Sequence, residues 1–265
     1  MISIKVLDIF SLKGKVAVLT GGAGKYGRQI VAALAEAGAK TYIASRGIAA
    51  LEQVAGAERA RGFDVTALPL DLNDEQSIAQ LRDAVIQKSG RIDILVNNAV
   101  TRCACGGWNS ALKIYDHSLH INASALFMIT NLFAEEMKKN RGGSIINIGS
   151  MMGMVGVEFG NYKGTTMGQN PSPIYSYEKG GMINFTRWAA SVLGPYGIRV
   201  NCVSPGGLEE PSHPPEFVRN YSERTQLGRM AQDTDLKGTI VFLGSDASAY
   251  ITGTNIPVDG GYTAK

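Results

Sequence analysis

Short continuous apolar runs alternate with amphipathic stretches from about residue 15 to the end of the chain. Residues 15–19 read KVAVL, a buried-strand run that leads into a glycine cluster. Beyond it, Ile30, Ala33, Leu34 and Ala37 keep the i, i+3, i+4, i+7 spacing of a helix, and Gly38 is a natural stop. The alternation predicts further strands at 41–45, 65–70, 92–96, 144–148, 199–203 and 255–258. Helices are predicted at 48–61, at 74–89 with Asn73 as cap, and at about 122–140 and 174–195. Unbroken apolar strands separated by helices imply a parallel sheet covered on both faces. Right-handed crossovers then give an α/β, doubly wound sheet, read as a single domain over residues 1–265. Two stretches break the rhythm, at about 151–173 and 206–228, and long connections of this kind are often binding loops.

Composition narrows the classes. The 32 glycines are roughly 12% of 265 residues, against a usual ~7%. They follow no collagen period, so glycine-rich turns between regular elements remain. A net charge of +3 gives no strong field for nucleic acid or an anionic membrane. No apolar run approaches the ~18 residues that span a bilayer. Cys103, Cys105 and Cys202 have neither zinc-knuckle spacing nor the numbers for a disulfide framework. The opening MISIKVLDIFSLKGK carries Asp8 and no small-residue cleavage site, so it does not read as a signal peptide. A reduced, cytoplasmic protein is the expectation.

The turn after the first strand reads Thr20-Gly21-Gly22-Ala23-Gly24-Lys25-Tyr26-Gly27 and runs directly into a helix. Small residues let backbone approach a pyrophosphate, and the helix N-terminus offers N–H donors and a positive dipole end. The second strand ends in Ser45-Arg46, where a carboxylate would have favoured a free ribose diol. A hydroxyl and a guanidinium can hold a 2′-phosphate, with Lys25 adding charge nearby. NADP is therefore the expected cofactor, with NAD as the alternative should Arg46 be only a solvated surface residue. Asp71-Leu72 after the third strand is placed to meet an adenine amino group. Asn98-Ala99 after the fourth can reach the nicotinamide ribose.

Tyr175 and Lys179 stand at i and i+4, on one helix face. Ten tyrosines and 13 lysines in 265 residues make about 0.5 such pairs by chance, so the pair gains weight only from its company. Ser150 follows the strand SIINI at the end where open α/β sheets bind ligands, and Asn122 begins the helix after LHI.

From about residue 12 to 263 the chain resembles a classical short-chain dehydrogenase/reductase. LKGKVAVLTGG, ILVNNA, GSIINIGS, YSYEK, GIRVNCVSPGG and SDASAYITGTNIPVDGG match successive family motifs in order. The resemblance implies a Rossmann fold, an Asn122–Ser150–Tyr175–Lys179 tetrad, and hydride transfer between nicotinamide and an alcohol or carbonyl. It also implies a homotetramer formed through the helices bearing Asn122 and Tyr175. Tyr175 would act as general acid or base. A phenol ionises near pKa ~10, and an adjacent ammonium favours the phenolate. Lys179 would supply that charge and, with Tyr175, hold the nicotinamide ribose. Ser150 would fix the substrate oxygen, and Asn122 a water linking Lys179 to solvent. The loop from Pro205-Gly206 would close over substrate and nicotinamide.

The chain also departs from the pattern. Lys25 stands where the family's second glycine is usual, Val100 replaces the glycine completing NNAG, and Gly149 replaces the first of two serines. Ser150 and Tyr175 are 25 residues apart, about twice the family's usual separation. That insertion resembles members acting on sugars, sugar acids and surface-polysaccharide precursors. Asn161, Tyr162, Thr165, Thr166, Gln169 and Asn170 could hydrogen-bond a polyol, or the loop could be a subunit contact. Trp108, Cys103 and Cys105 are expected on the opposite wall; Met151, Met152 and Met154 under the site; His213 on the surface. No metal site is predicted. The leading expectation is an NADP(H)-dependent oxidoreductase for a small-molecule alcohol or carbonyl. A nucleotide-sugar epimerase or dehydratase, and a non-catalytic dinucleotide-binding protein, are the alternatives.

Overall fold

The computed structural model describes residues 5–102, 107–167 and 172–264. Seven strands form one parallel sheet: β1 (Val16–Thr20), β2 (Lys40–Ser45), β3 (Val65–Pro69), β4 (Ile94–Asn97), β5 (Gly143–Ile148), β6 (Ile198–Pro205) and β7 (Asn255–Val258). Their order is β3-β2-β1-β4-β5-β6-β7, which places the topological switch between β1 and β4. Eight α-helices accompany them in the described residues: α1 (Lys25–Glu36), α2 (Ile48–Ala60), α3 (Glu75–Ser89), α4 (Leu112–Leu119), α5 (Ala125–Lys139), α6 (Pro173–Leu193), α7 (Pro215–Ser222) and α8 (Lys237–Gly244).

The period-2 alternation of each strand divides the core in two. Ala17, Leu19, Ile43, Ile146 and Ile148 face one side, where α1, α2 and α8 contribute Ile30, Leu34, Leu51 and Ile240. Val16, Val18, Tyr42, Ala44 and Ile145 face the other, under Ile78 and Leu81 of α3, Phe133 of α5 and Leu193 of α6. Both faces are covered, which is why these strands read as continuous apolar runs.

The structure corrects three details of the sequence reading. Asp74, not Asn73, caps α3: its carboxylate accepts from the Gln76 N–H at 2.9 Å, while Asn73 donates its side-chain amide to Asp71 at 3.0 Å. The helix expected from 122 starts at Leu112 instead, passing through a π-helical turn at His120–Ser124. Its first turns bury only Ser118 and leave Leu112 exposed, so they carry no core-facing stripe. Two helices were also missed. α7 lies inside the proline-broken stretch, with Pro215 at its first position, where a missing N–H costs nothing; α8 (KGTIVFLG) is too uniformly apolar to display a period.

Candidate active site

The ends of β1, β2, β4, β5 and β6, with the segment after β3, open onto one cleft of about 900 Å3. On its nucleotide side lie Gly21, Lys25 and Tyr26 of the glycine turn, then Ser45 and Arg46 after β2. Asp71, Leu72, Asn98 and Ala99 continue the wall, and Pro205 and Gly206 close it. Gly24 precedes α1 and no side chain caps that helix, so its N-terminus faces the cleft without an internal acceptor.

Gly27 is the one predicted cofactor residue that does not line the cleft. A Cβ there would stand 2.2 Å from the Gly21 carbonyl oxygen. Its part is to let α1 close on the turn. Thr20 Oγ1 accepts from the Asn98 and Ala99 N–H groups at 3.1 and 3.0 Å. The Asn98 side-chain amide donates to the Thr20 and Gly21 carbonyls at 3.0 Å each. These bonds stitch β1 to β4 across the switch point. Asn73 holds the Asp71 carboxyl below the usual carboxylate range by donating its backbone N–H, with the charge of Arg46 helping. Lys25 is ion-paired with Glu210 across the cleft, and the Tyr26 hydroxyl donates to the Gly206 carbonyl at 2.8 Å.

At the other end, Ser150, Tyr175 and Lys179 all line the same cleft. Ser150 ends the sequence step after β5, and its Oγ accepts from the Met152 N–H at 3.1 Å, starting a short 3-10 turn. The Lys179 side chain is buried and its Nζ donates to the Ile148 carbonyl at 2.6 Å. It lies 5.8 Å from the centre of the Tyr175 ring. Burial pulls the Lys179 ammonium below the ordinary lysine value, with Tyr175 opposing the shift. A second cation, Arg102, stands 5.3 Å from the same ring centre.

Asn122 sits behind this group, inside the π-helical turn and not at a helix start as expected. Such turns recur at functional sites. Its Oδ1 accepts from the Thr101 N–H at 2.9 Å, and its Nδ2 donates to the Thr101 carbonyl at 3.0 Å and to Glu178 at 2.8 Å.

The two irregular stretches, predicted separately, fold onto each other. Asn220 of α7 donates to the carbonyls of Asn161 and Lys163 at 3.3 and 2.9 Å, and Arg224 pairs with Glu158 at 3.0 Å. Tyr162 packs on Phe217, and Tyr221 on Tyr262, with ring centres 5.5 and 4.9 Å apart. With Met151 and Met230 they make a separate apolar cluster that lines the substrate end. Gly153 anchors the insertion: a Cβ there would meet the Lys179 carbonyl at 2.6 Å, so only glycine lets this turn lie on α6.

Of the residues expected around the substrate, Asn161, Tyr162, Met151 and Met152 line the cleft. Thr165 is spent on a local bond to the Tyr162 carbonyl at 2.9 Å, and Thr166 is not among the lining residues. Met154 is exposed and turned to Asn255, away from the site. Trp108 is 93% exposed, which removes it from the wall. Cys103, Cys105, Gln169 and Asn170 lie outside the described residues. His213 is half-buried against Phe217 and lines the cleft, not the free surface. Arg102, Ser118, Glu178 and Phe217 were missed. Glu178 lies inside the YSYEK run, three residues after Tyr175, and it and Arg102 were visible only as charges; Ser118 and Phe217 carried no signal.

The family model described as enoyl-(acyl carrier protein) reductase matches residues 24–263. A 3-oxoacyl-[acyl-carrier-protein] reductase of Thermotoga maritima is 32% identical over 261 residues, covering 94% of this chain and 98% of that protein. A cyclopentanol dehydrogenase of Comamonas sp. is 31% identical over 256 residues, covering 95% and 98%. Among solved structures, a gluconate 5-dehydrogenase from Burkholderia cenocepacia in complex with NADP and tartrate superposes with a TM-score of 0.87. It is 27% identical, over 98% of this chain and 100% of that one. With the seven-stranded parallel sheet and the cleft at its switch point, these matches establish that the chain belongs to the classical short-chain dehydrogenases/reductases, NAD(P)-dependent oxidoreductases acting on CH–OH groups.

Proposed function

We propose that this chain exchanges a hydride between NADP(H) and an alcohol or carbonyl on a sugar or sugar acid, with Tyr175 as general acid and base. The observation that carries the reading is the meeting of Ser150, Tyr175 and the buried Lys179 in the cleft that, at its other end, presents Arg46 and the uncapped start of α1.

The nucleotide half fits NADP. A Cβ at Gly21 would meet Ala99 and Asn98 at 3.0 Å, so only a glycine keeps this floor low. Ser45 and Arg46 would hold the 2′-phosphate, the turn from Gly21 to Tyr26 and the start of α1 the pyrophosphate, and Asp71 and Leu72 the adenine. Asn98, Ala99, Tyr175, Lys179, Pro205 and Gly206 would surround the nicotinamide riboside. Bound there, the dinucleotide supplies or takes up the hydride.

The protein's own work is orientation and proton transfer. Ser150 fixes the substrate oxygen, and Tyr175 gives that oxygen a proton in reduction or removes it in oxidation. The Lys179 Nζ stands 5.8 Å from the centre of the Tyr175 ring, beside the group that moves the proton. Asn122 holds the polar passage from Lys179 outward. On the substrate side, apolar rings offer a surface to ring C–H groups, while Asn161 Oδ1 is buried without a protein partner and lies in a cleft-lining residue. Arg102 makes no ion pair among the described residues, which suits the carboxylate of a sugar acid.

The chain is read as one dinucleotide-binding domain with substrate loops at about 151–173 and 206–228. Phe127, Phe185 and Trp188 form a contiguous ring cluster on α5 and α6, with Phe127 and Trp188 about half exposed, and this face supports assembly into a homotetramer. Cytoplasmic location belongs to the same reading; among the described residues no helix is long and apolar enough to cross a membrane. The test is a panel of sugars, sugar acids and cyclic alcohols followed at the nicotinamide absorbance band. Turnover of a sugar or sugar acid with NADP+ is expected; turnover confined to acyl or apolar substrates contradicts the substrate class.

A further inference from the structure

Glu178 precedes Lys179 on α6, is only 6% exposed, and forms no ion pair among the described residues. Buried carboxylates are costly unless paired or fully hydrogen-bonded. Here both oxygens act as acceptors: Ser118 Oγ donates to one at 2.7 Å and Asn122 Nδ2 to the other at 2.8 Å. Two neutral donors therefore hold a carboxylate at the back wall of the active site.

The bond to Asn122 fixes an amide already committed on its other side. Oδ1 receives the Thr101 N–H and Nδ2 also serves the Thr101 carbonyl. Rotating the amide by half a turn would break both. Glu178 thus ties α6 through Asn122 to the loop after β4, whose next residue is Arg102, the cation over the Tyr175 ring. The charged and titratable groups acting on Lys179 are Tyr175 and Glu178 on α6, Arg102 on that loop and Cys202 on β6. Asp116 and His117 of α4 and His120 of the π-helical turn are exposed. Glu178 is therefore the one carboxylate among the groups acting on Lys179.

We propose that Glu178 is a positioning residue of the active site, whose buried carboxylate locks Asn122 and Ser118 and sets a negative charge beside Lys179. This rests on the reading of Tyr175 and Lys179 as the acid–base couple. Glu178→Gln can keep the bond from Asn122 only by turning its amide N–H onto Ser118, whose hydroxyl must then reverse from donor to acceptor. It also removes one negative charge, and that lowers the proton affinity of every nearby titrating group.

The experiment measures kcat, KM, NADPH affinity and the pH profile of alcohol oxidation for Glu178→Gln, Glu178→Asp and the wild type. Glu178→Gln is expected to lower kcat about tenfold or more with KM for NADPH within about twofold. Its acid limb, where the base must lose a proton, moves to lower pH by about half a unit or more. Glu178→Asp keeps the charge but cannot reach both donors, so kcat falls while the limb stays. If the Gln variant does not fold, Ser118→Ala, which removes one donor, should lower kcat by a few-fold. An unchanged kcat in the Asp or Ala variant, or a fall in the Gln variant with an unmoved limb, overturns the proposal. Loss of activity in Tyr175→Phe with Glu178→Gln unaffected would sink this inference alone; retained activity in Tyr175→Phe would sink the reading beneath it.

Discussion

The nucleotide half of the cleft is made from strand ends and one glycine turn, whereas the substrate half is made from two loops that fold onto each other. In the first, the floor is tied to the sheet: Thr20, Asn98 and Ala99 are bonded across the β1–β4 switch, and Gly27 lets α1 close over it. In the second, Tyr162 meets Phe217 and Arg224 meets Glu158 across 50 residues or more of intervening chain. On the proposed function, the contrast assigns cofactor binding to the framework and substrate choice to a separately packed apolar cluster. Changes in one half should therefore leave the other readable.

The largest effect on dinucleotide binding should come from Gly27→Val. Its side chain has no room against the Gly21 carbonyl, so the turn must open. Dinucleotide affinity measured by fluorescence should fall about a hundredfold or more, with a lower Tm. Affinity within a few-fold of wild type would show that the turn is less exacting than its geometry. Phe217→Ala comes next. It removes a buried ring from the apolar cluster, costing about 3 kcal/mol of stability. KM for substrate should rise while the Kd for NADPH stays put; a parallel loss of both would erase the boundary between the halves. Arg46→Ala is the mildest: about tenfold weaker NADPH binding with NADH unaffected. Equal losses for the two nucleotides would take Arg46 out of 2′-phosphate recognition.

The same division explains what could be read from the chain. β1, β5 and β6 are buried on both faces and mostly apolar, so their runs were plain, and the positions following them were fixed by the rule that ligands gather at strand C-termini. Ser150, Tyr175 and Lys179 arrive together in the cleft for that reason. α4 and α7 were hidden because each is only eight residues long and α7 is set among prolines, too short to show a repeating period; α7 is clasped by Asn220 to the insertion. The pairing of Asn122 with Glu178 spans 56 residues in sequence and has no local signature. Trp108 misled for the opposite reason: a large aromatic near the site invites a role, yet it stands in solvent.

The central claim is that Tyr175 handles the proton in a cleft whose nucleotide half binds independently of it. Tyr175→Phe removes one oxygen and leaves the ring that Arg102 and Lys179 face. Measured side by side, NADPH affinity should stay within about twofold of wild type and turnover of the best substrate should fall by about a thousandfold or more. Turnover within tenfold of wild type would contradict the account.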